Sequence, residues 1–341
     1  SVHNTRFIQD GQNEYLFFVS QTQNKLVGLR FTDLASWTYD VHCEFDIAAW
    51  ITNPAGIDIV KDGCVWTAFV TSIASPFKLI KFEFGQNFQS ISNNADLTSL
   101  VALSTPFDVR TVRDGDEFFT FVTNSTGPVN RQFIRLGFGA SLSNTPAVSY
   151  IALPAGSQAA SMDFYHSCDQ WSAFISSRAA KLISVHFGSD LANASPVVSN
   201  LILSLPLNDP GGLALVEDHN ELTFIIQSRN GDTYTGKISS ATDNTVDVNN
   251  FGNLRTTSRD WDIEVFFVDG VYKMVSANFS SGAAGGVFSL DFPYLCPASE
   301  TYSTRLSETV SFQQAGTFKV TLKASNLAGD SESVTREIVV S

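Results

Sequence analysis

Residues 54–70 read PAGIDIVKDGCVWTAFV, which is the pattern of a β-hairpin. Two apolar runs, 56–60 and 65–70, flank the short polar turn Asp62-Gly63. An Asp-Gly pair between two such runs is a strong hairpin signal. Proline is tolerated at the first position of a strand because no ladder donor is lost there. The stretch therefore predicts two antiparallel strands joined by a tight turn.

The same polar turn recurs along the chain at a nearly constant spacing. The six turns are Asp10-Gly11, Asp62-Gly63, Asp114-Gly115, His166-Ser167, Asp218-His219 and Asp269-Gly270. Their first residues are 52, 52, 52, 52 and 51 positions apart. A fixed period of this size indicates one supersecondary unit that is copied several times.

Each copy continues into a third strand, in which apolar and polar residues alternate as in a half-buried strand. Three copies end this strand in a Phe-Gly pair, at 79–85, 133–139 and 182–188. The glycine of each pair is predicted to have a positive φ. The pattern is looser at 26–31, 234–238 and 287–292. A fourth strand is predicted at 100–103, 148–153 and 201–205, so each repeat is expected to be a four-stranded antiparallel meander.

Radial packing of such meanders makes a β-propeller, in which each sheet buries both faces against its neighbours. We therefore predict an all-β fold whose residues 1–293 form a six-bladed propeller of four-stranded blades. A tandem β-sandwich is the alternative, but an immunoglobulin-like unit needs about 100 residues. Only twenty-three residues separate Asp269 from Phe292, so the sixth blade lacks an obvious fourth strand. Residues after Phe292 or another chain would have to complete it.

The last segment, residues 294–341, has a different pattern. A dense β run spans 316–326, with Gly316, Phe318, Val320, Leu322, Ala324 and Asn326 at alternating positions, followed by Gly329 and by Ile338 in a final strand. The run resembles the C-terminal half of a polycystic-kidney-disease-type (PKD) immunoglobulin-like domain. That family's W-x-F-G-D-G stretch is absent upstream. The resemblance implies a truncated β-sandwich after the propeller.

Two longer phrases extend the resemblance. Residues 133–144 and 182–193 nearly match L-x-[RK]-x-x-F-G-x-x-[LF]-x-N, with Phe133 in place of the leading Leu and Ser184 in place of the basic residue. Propeller repeats with this phrase ahead of PKD-type domains resemble secreted surface proteins of Bacteroidota. The resemblance implies an adhesin, a gliding-associated protein or a component of type IX secretion. It also implies partners that are other chains of a surface assembly or surface glycans.

Composition limits the class of protein. The net charge is −13 and the basic residues are scattered, which disfavours nucleic acid and anionic membranes as partners. No apolar stretch is long enough to span a membrane. The chain begins at Ser1, and we expect a mature secreted, extracellular product. Four separated cysteines, Cys43, Cys64, Cys168 and Cys296, leave free thiols and one disulfide as equal alternatives.

The sequence contains no catalytic signature that we recognise. The repeated sialidase turn, the G-x-S-x-G elbow and the G-x-G-x-x-G phosphate loop are all missing. The five histidines form no metal-binding motif, so neither catalytic residues nor a metal site is predicted. Residues 114–117 and 208–210 are acidic turns with oxygen ligands of the kind that Ca²⁺ takes. Ca²⁺ is therefore the one cofactor that the sequence allows.

Eight residues are the candidates for ligand binding at the mouth of the propeller channel: Asp58, Asp108, Asp163, Asp262, Trp50, Trp261, Phe107 and Phe164. Glycosidases use two carboxylates that face one sugar ring, and aromatic planes suit sugar contact. Counted from the turns, Asp108 and Asp163 are out of register with Asp58, so these carboxylates are not expected to share a level. The alternative interpretation is that the acids are solvated strand ends and that the aromatic side chains fill the wedges between blades.

The sequence therefore predicts a non-enzymatic extracellular binding or structural protein, such as an adhesin or a subunit of a surface assembly. The alternative is a polysaccharide-active hydrolase or lyase that uses carboxylates at the channel mouth. Convergence of two of the four aspartates at an open cleft would favour the enzyme.

Overall fold

The computed structural model describes residues 2–128, 131–218, 221–238, 245–254, 260–268, 271–278, 287–291, 316–322, 325–326, 329–330 and 334–340. Apart from 3₁₀-helical residues at Thr98–Leu100 and at position 131, the regular structure in these ranges is β-strand. No helix among the described residues is long and apolar enough to cross a bilayer.

Five antiparallel sheets of four strands follow one another along the chain. Blade 1 contains β1 (Val2–Asp10), β2 (Asn13–Ser20), β3 (Lys25–Asp33) and β4 (Thr38–Asp46). Blade 2 contains β5 (Pro54–Asp62), β6 (Val65–Ser72), β7 (Leu79–Glu83) and β8 (Asn93–Asp96). Blade 3 contains β9 (Pro106–Asp114), β10 (Glu117–Asn124), β11 (Phe133–Gly139) and β12 (Ala147–Ile151). Blade 4 contains β13 (Ala159–Ser167), β14 (Gln170–Ser177), β15 (Lys181–Gly188) and β16 (Val197–Asn200).

A short strand, β17 (Ile202–Leu203), pairs in parallel with β21 (Thr245–Val246) and links blade 4 to blade 5. Blade 5 contains β18 (Pro210–Asp218), β19 (Glu221–Ser228), β20 (Asp232–Ile238) and β22 (Val248–Asn253). The sixth sheet has three described strands, β23 (Asp260–Val268), β24 (Val271–Asn278) and β25 (Val287–Asp291). The predicted propeller of four-stranded antiparallel blades is confirmed for five blades, and the prediction of a sixth four-stranded blade is not.

The first strands of the six sheets lie side by side around a central channel, and β23 lies between β18 and β1. The two ends of the ring meet through side chains. Phe7 of β1 stacks on Phe266 of β23 with ring centroids 4.3 Å apart. Pro54, Pro106 and Pro210 begin β5, β9 and β18, as predicted.

Apolar clusters fill the wedges between adjacent blades. One such cluster combines Phe17 of blade 1 with Ile57 and Phe82 of blade 2. The second-strand aromatic residues that the repeat places in the core are buried, namely Phe17, Trp66, Phe119, Trp171 and Phe224. These residues bury large apolar areas and hold neighbouring blades together.

The fourth strands differ from the prediction in two blades. In blade 2 the outer strand is the polar β8, and the apolar residues after it, Leu97 and Val101, belong to a loop that packs into the core. In blade 4 the outer strand is β16, whereas Ile202 lies in β17. The outermost strand of a blade faces solvent, so a search for apolar runs finds the buried loop beside it instead.

The Phe-Gly phrases form loops that are held by the preceding blade. Gly85, Gly139 and Gly188 have φ of 67°, 66° and 77°, which confirms the predicted positive φ. Asp62 accepts the Leu142 amide at 2.9 Å, and Lys81 Nζ donates to the Leu142 carbonyl at 2.8 Å. The basic residue of the phrase therefore reaches across to the loop of the next blade.

Gly212 lies where the backbone of β18 comes so close to the sixth sheet that a side chain would clash. A Cβ atom added there would lie 2.7 Å from the backbone of Asp262 and Ile263 in the sixth sheet. Since backbone cannot move aside cheaply, we expect Gly212→Ala to lower the free energy of unfolding by about 1–3 kcal/mol. Gly137→Ala is the matched control because its nearest neighbour, the Phe119 ring, would be 3.4 Å away. Equal denaturation midpoints for the two variants would contradict this prediction.

Two short pairings are described in the C-terminal segment. β26 (Gly316–Leu322) pairs antiparallel with β29 (Val334–Val340), and β27 (Ser325–Asn326) pairs with β28 (Gly329–Asp330). The boundary after residue 293 and the PKD-type sandwich at 294–341 stay predictions. The question of what completes the sixth sheet falls on residues after Asp291, which lie outside the described residues until Gly316.

Candidate functional site

Every inner strand carries an irregularity near its start. The pairing with the second strand shifts between Val2 and Thr5 in β1, and equivalent shifts occur in β5, β9, β13, β18 and β23. Such β-bulges bend a strand and redirect its side chains. Here they bring polar residues from five of the six strands to the central channel, and β18 contributes Gly212 and Ala214.

Strand pairing aligns these polar residues into two rings. The first ring contains Asn4, Gly56, Asp108, Ser161, Gly212 and Asp262. The second ring follows two residues later along each strand and contains Arg6, Asp58, Arg110, Asp163, Ala214 and Glu264. Two of the four predicted aspartates therefore belong to each ring.

The prediction that Asp108 and Asp163 do not share a level with Asp58 is half right. Asp108 lies in a different ring from Asp58, as predicted, but Asp163 lies in the same ring. The reason is the turn of blade 4, in which Ser167 pairs with Gln170 and takes the place that Asp62 has in blade 2. Counting from His166 therefore displaces Asp163 by one position.

Side chains of the first ring meet across the channel. Asn4 Nδ2 donates to Asp108 Oδ1 at 3.1 Å. Ser161 Oγ lies 3.3 Å from Asp108 Oδ2 and 3.4 Å from Asp262 Oδ1. These four residues are all at least 98% buried. The first ring therefore fills the channel where the inner strands begin.

Each predicted aspartate also accepts an amide from the next sheet in the ring. Asp58 accepts from Thr111 at 2.5 Å, Asp108 from Met162 at 2.8 Å, Asp163 from Leu215 at 2.8 Å and Asp262 from Thr5 at 3.0 Å. Asn4 Oδ1 accepts the Ile57 amide at 3.3 Å in the same way. These contacts join blade 1 to blade 2, blade 2 to blade 3, blade 3 to blade 4 and blade 4 to blade 5. The contact of Asp262 joins the sixth sheet to blade 1.

The second ring is charged and partly open to solvent. Arg6 Nε lies 2.8 Å from Asp58 Oδ1, and Glu264 Oε1 lies 3.4 Å from Arg6 Nη1 and 3.3 Å from Arg110 Nη2. The side chains of Arg6 and Glu264 are 27% and 14% exposed, and Asp163 is half-buried. Because the first ring is closed, solvent reaches this ring from the end where the inner strands finish.

Burial and neighbouring charges set the proton affinity of these groups. Burial raises the pKa of Asp262 to about 8, against an opposing effect of Arg110. Burial also raises the pKa of Glu264 and of Asp108, while Arg110 opposes both shifts. For Arg110 burial acts to lower the pKa, but Asp108, Glu264 and Asp262 raise it well above its usual value. Burial therefore favours the protonated forms of Asp108, Asp262 and Glu264.

The raised pKa of Asp262 makes stability depend on pH. The unfolded chain releases this proton near pH 3.8, the usual pKa of an aspartate, whereas the folded chain keeps it to about pH 8. Stability should therefore fall as pH rises through this window, by up to about 1.4 kcal/mol per pH unit. We expect Asp262→Asn, which has no such proton, to flatten the decline. Urea denaturation at several pH values from 6.5 to 8 measures it. The histidines titrate alike in both proteins, so the difference between the two profiles isolates Asp262, and parallel profiles would count against the effect.

The aromatic candidates lie in packed surroundings. Phe107 is 4% exposed and its ring centroid is 5.1 Å from that of His3. Phe164 packs on Phe121 at 4.7 Å, and Trp50 contacts Phe82 at 5.7 Å. Trp261 belongs to β23, and its side chain lies outside the described residues. The described geometry agrees with the wedge-filling alternative for Phe107, and ligand binding by this set stays a prediction.

The acidic turns have partners within the chain. Asp114 accepts the Leu191 amide at 2.8 Å, and Asp209 pairs with Arg178 and Arg229. No group of three or more His, Cys, Asp or Glu side chains in the described ranges has the arrangement of a metal site. Calcium binding stays a prediction. Cys43, Cys64 and Cys168 are free thiols, and Cys296 is outside the described residues.

Sequence reasoning missed Arg6 and Arg110, which contact the predicted acids Asp58 and Asp262, and it missed Glu264, which contacts both arginines. A signal for two of them was present, because Arg6, Asp58 and Arg110 are 52 residues apart and therefore hold one position in successive repeats. Glu264 carries no such signal because it lies 154 residues after Arg110, whereas three repeats of 52 residues would be 156.

The structure was compared with known proteins. No family model and no curated protein sequence matches the chain. An α-L-arabinanase from Penicillium chrysogenum, solved with arabinobiose, is similar in structure with a TM-score of 0.60 and 10% identity, covering 85% of this chain and 93% of that one. A mutant of AofleA from Arthrobotrys oligospora has a TM-score of 0.58 and 9% identity, with 86% and 84% coverage. A neuraminidase-like protein of A/little yellow-shouldered bat/Guatemala has a TM-score of 0.52 and 11% identity, with 84% and 93% coverage.

These similarities confirm the propeller fold and correct two predictions. The chain was predicted to be no enzyme and to be an adhesin or assembly subunit, whereas the same architecture occurs in an enzyme, the α-L-arabinanase. The missing motifs misled the prediction because single residues from different blades can supply catalytic carboxylates without any local signature. Nothing in the comparisons supports a PKD domain, a Bacteroidota source or type IX secretion.

Proposed function

We propose that this chain is a glycoside hydrolase that cleaves a polysaccharide with carboxyl groups of the second channel ring. The observation that carries the proposal is Glu264, a partly exposed carboxyl group whose pKa is raised by burial. Hydrolysis of a glycosidic bond needs a carboxylic acid that is still protonated near neutral pH. Among the predicted acids, Asp58, Asp108 and Asp262 are at most 1% exposed, which argues against contact with a substrate.

Asp163 is the proposed second carboxylate. It lies in the same ring as Glu264, two sheets away, and its charge raises the pKa of Glu264. Both of its oxygens accept backbone amides, from Phe164 at 2.9 Å and from Leu215 at 2.8 Å. These bonds hold the carboxylate in one orientation and leave further lone pairs for a water molecule.

Glu264 acts as the general acid and Asp163 as the general base of one displacement. Glu264 gives its proton to the leaving glycosidic oxygen as the bond to the anomeric carbon breaks. Asp163 takes a proton from the water that attacks this carbon, so that one carboxyl group is consumed as acid and the other is produced. Arg6 lies between Asp58 and Glu264 and is 27% exposed, which suits a donor to sugar hydroxyl groups.

The proposed substrate is extracellular, and we propose that the chain acts outside the cell. The net charge of −13 and the similarity to the arabinanase support this location. The PKD-like segment at 294–341 would then be a small accessory β domain, a proposal supported by the pairing of β26 with β29. Fractionation of the source cells with an antibody to the chain tests the location.

Hydrolysis is tested by incubating the purified chain with a panel of polysaccharides and measuring new reducing ends. Arabinan is the first substrate to try, because it is what the structurally similar arabinanase is named for. Activity that co-elutes with the chain in size-exclusion chromatography is the expected result. Absence of cleavage across arabinan, xylan, galactan and pectin would overturn the proposal.

A further inference from the structure

A groove lies between blades 3 and 4, away from the channel. Its volume is about 370 Å³, which is within the range of about 300–1,000 Å³ for small-molecule sites. Glu117, Phe119, Arg135, Gly137, Ser149 and Ala192 line it. The groove therefore combines a cation, an aromatic ring and two hydrogen-bonding side chains.

The equivalent position in blade 2 explains why this groove is open. There Glu83 pairs with Thr67 across the strands, and its carboxylate lies 2.9 Å from Lys81 Nζ. In blade 3 the residue at the position of Glu83 is Gly137, which pairs with Phe119. The cation of the pair is present in both blades, as Lys81 and Arg135, but its carboxylate is missing in blade 3.

Arg135 is held in place by contacts with neutral oxygens. Its Nε donates to Ser149 Oγ at 3.0 Å, and its Nη1 donates to the carbonyls of Leu191 and Asn193, the latter at 2.8 Å. Among the described residues no carboxylate lies within ion-pair distance of the guanidinium, and Asp190 acts on it only from further away. The residue is 7% exposed. A cation buried to this degree gains from a bound anion.

We propose that the groove binds a uronic acid residue of a glycan, with the sugar carboxylate in the place that the Glu83 carboxylate has in blade 2. The missing side chain at Gly137 leaves room for the sugar beside the Phe119 ring. Glu117 and Ser149 can bind its hydroxyl groups. This site is separate from the channel and does not depend on the proposed hydrolase activity.

Calorimetric titration with methyl α-galacturonide and with methyl α-galactoside tests the proposal, because the two sugars differ in the carboxylate. We expect the neutral sugar to bind about 10- to 100-fold more weakly, as the loss of a charged hydrogen bond predicts. Gly137→Glu would recreate the blade 2 pair and abolish binding of the galacturonide. Gly137→Ala, which adds only a methyl group, is the matched control and should bind like the wild type.

Several results would overturn the proposal. They are absence of galacturonide binding at millimolar concentration, equal binding of both sugars, or wild-type binding by folded Gly137→Glu. Tighter binding of N-acetyl-aspartate amide than of galacturonide would identify a site for acidic peptides instead. NMR shifts on adding galacturonide to the wild type give a test that needs no variant: they should centre on Ser149 and Ala192, and shifts confined to other residues would also contradict it.

Discussion

Glu264→Gln is expected to slow polysaccharide hydrolysis by about 100- to 10,000-fold, the range for loss of a general acid. The amide keeps the size of the side chain and a hydrogen bond with Arg110, but it has no proton to give to the leaving oxygen. Initial rates on the best substrate of the panel measure the effect. Asp116→Asn is the control, because that side chain is 95% exposed in a turn.

The pH profile separates chemistry from structure in this variant. The wild type should lose activity as pH rises through the raised pKa of Glu264, and the variant should lack this alkaline limb. If Glu264→Gln works at the wild-type rate and the protein is folded, Glu264 is not the acid.

Asp108→Ala is expected to lower the free energy of unfolding by about 3–5 kcal/mol, as for removal of one partner of a buried charged network. Asp108 accepts amides from Val109 and Met162 and the side chain of Asn4, and its charge supports Arg110. Alanine leaves these donors buried and without an acceptor. Chemical denaturation measures the loss.

Two further variants keep this prediction testable if Asp108→Ala does not fold. Asp108→Asn retains one acceptor oxygen and should lose less stability than alanine does. Asp116→Ala should change stability by less than about 0.5 kcal/mol, as is usual for exposed sites. A loss for Asp108→Asn no greater than for Asp116→Ala would show that the first ring does not hold the blades together.

Much of the fold could be predicted from local pattern. The proline, the apolar run and the polar turn recur at 52 residues, and each depends only on residues a few positions apart. Strand starts at Pro54, Pro106 and Pro210 and the positive φ of Gly85 follow from that local chemistry. The outer strand β8 was missed because it is only four residues long and Ala95 is its one apolar residue, so its sequence looks like a loop.

The candidate site was less predictable, as Asp58 and Glu264 illustrate. Asp58 has the sequence of a ligand-binding acid, yet it is fully buried and holds the Thr111 amide of the next blade. Glu264 lies in an unremarkable strand, but burial raises its pKa against the opposing effect of Arg110 and Arg6, which makes it a candidate proton donor.

The amino-acid sequence by itself determined the repeat, the hairpins and the all-β class, because strand and turn preferences act between near neighbours. Tertiary structure alone decided which carboxyl groups bind a backbone amide of the neighbouring blade and which are open to solvent. The Thr5 amide that Asp262 accepts is 257 residues away in the chain. A carboxyl group's burial and partners come from such distant blades, and no local pattern contains them.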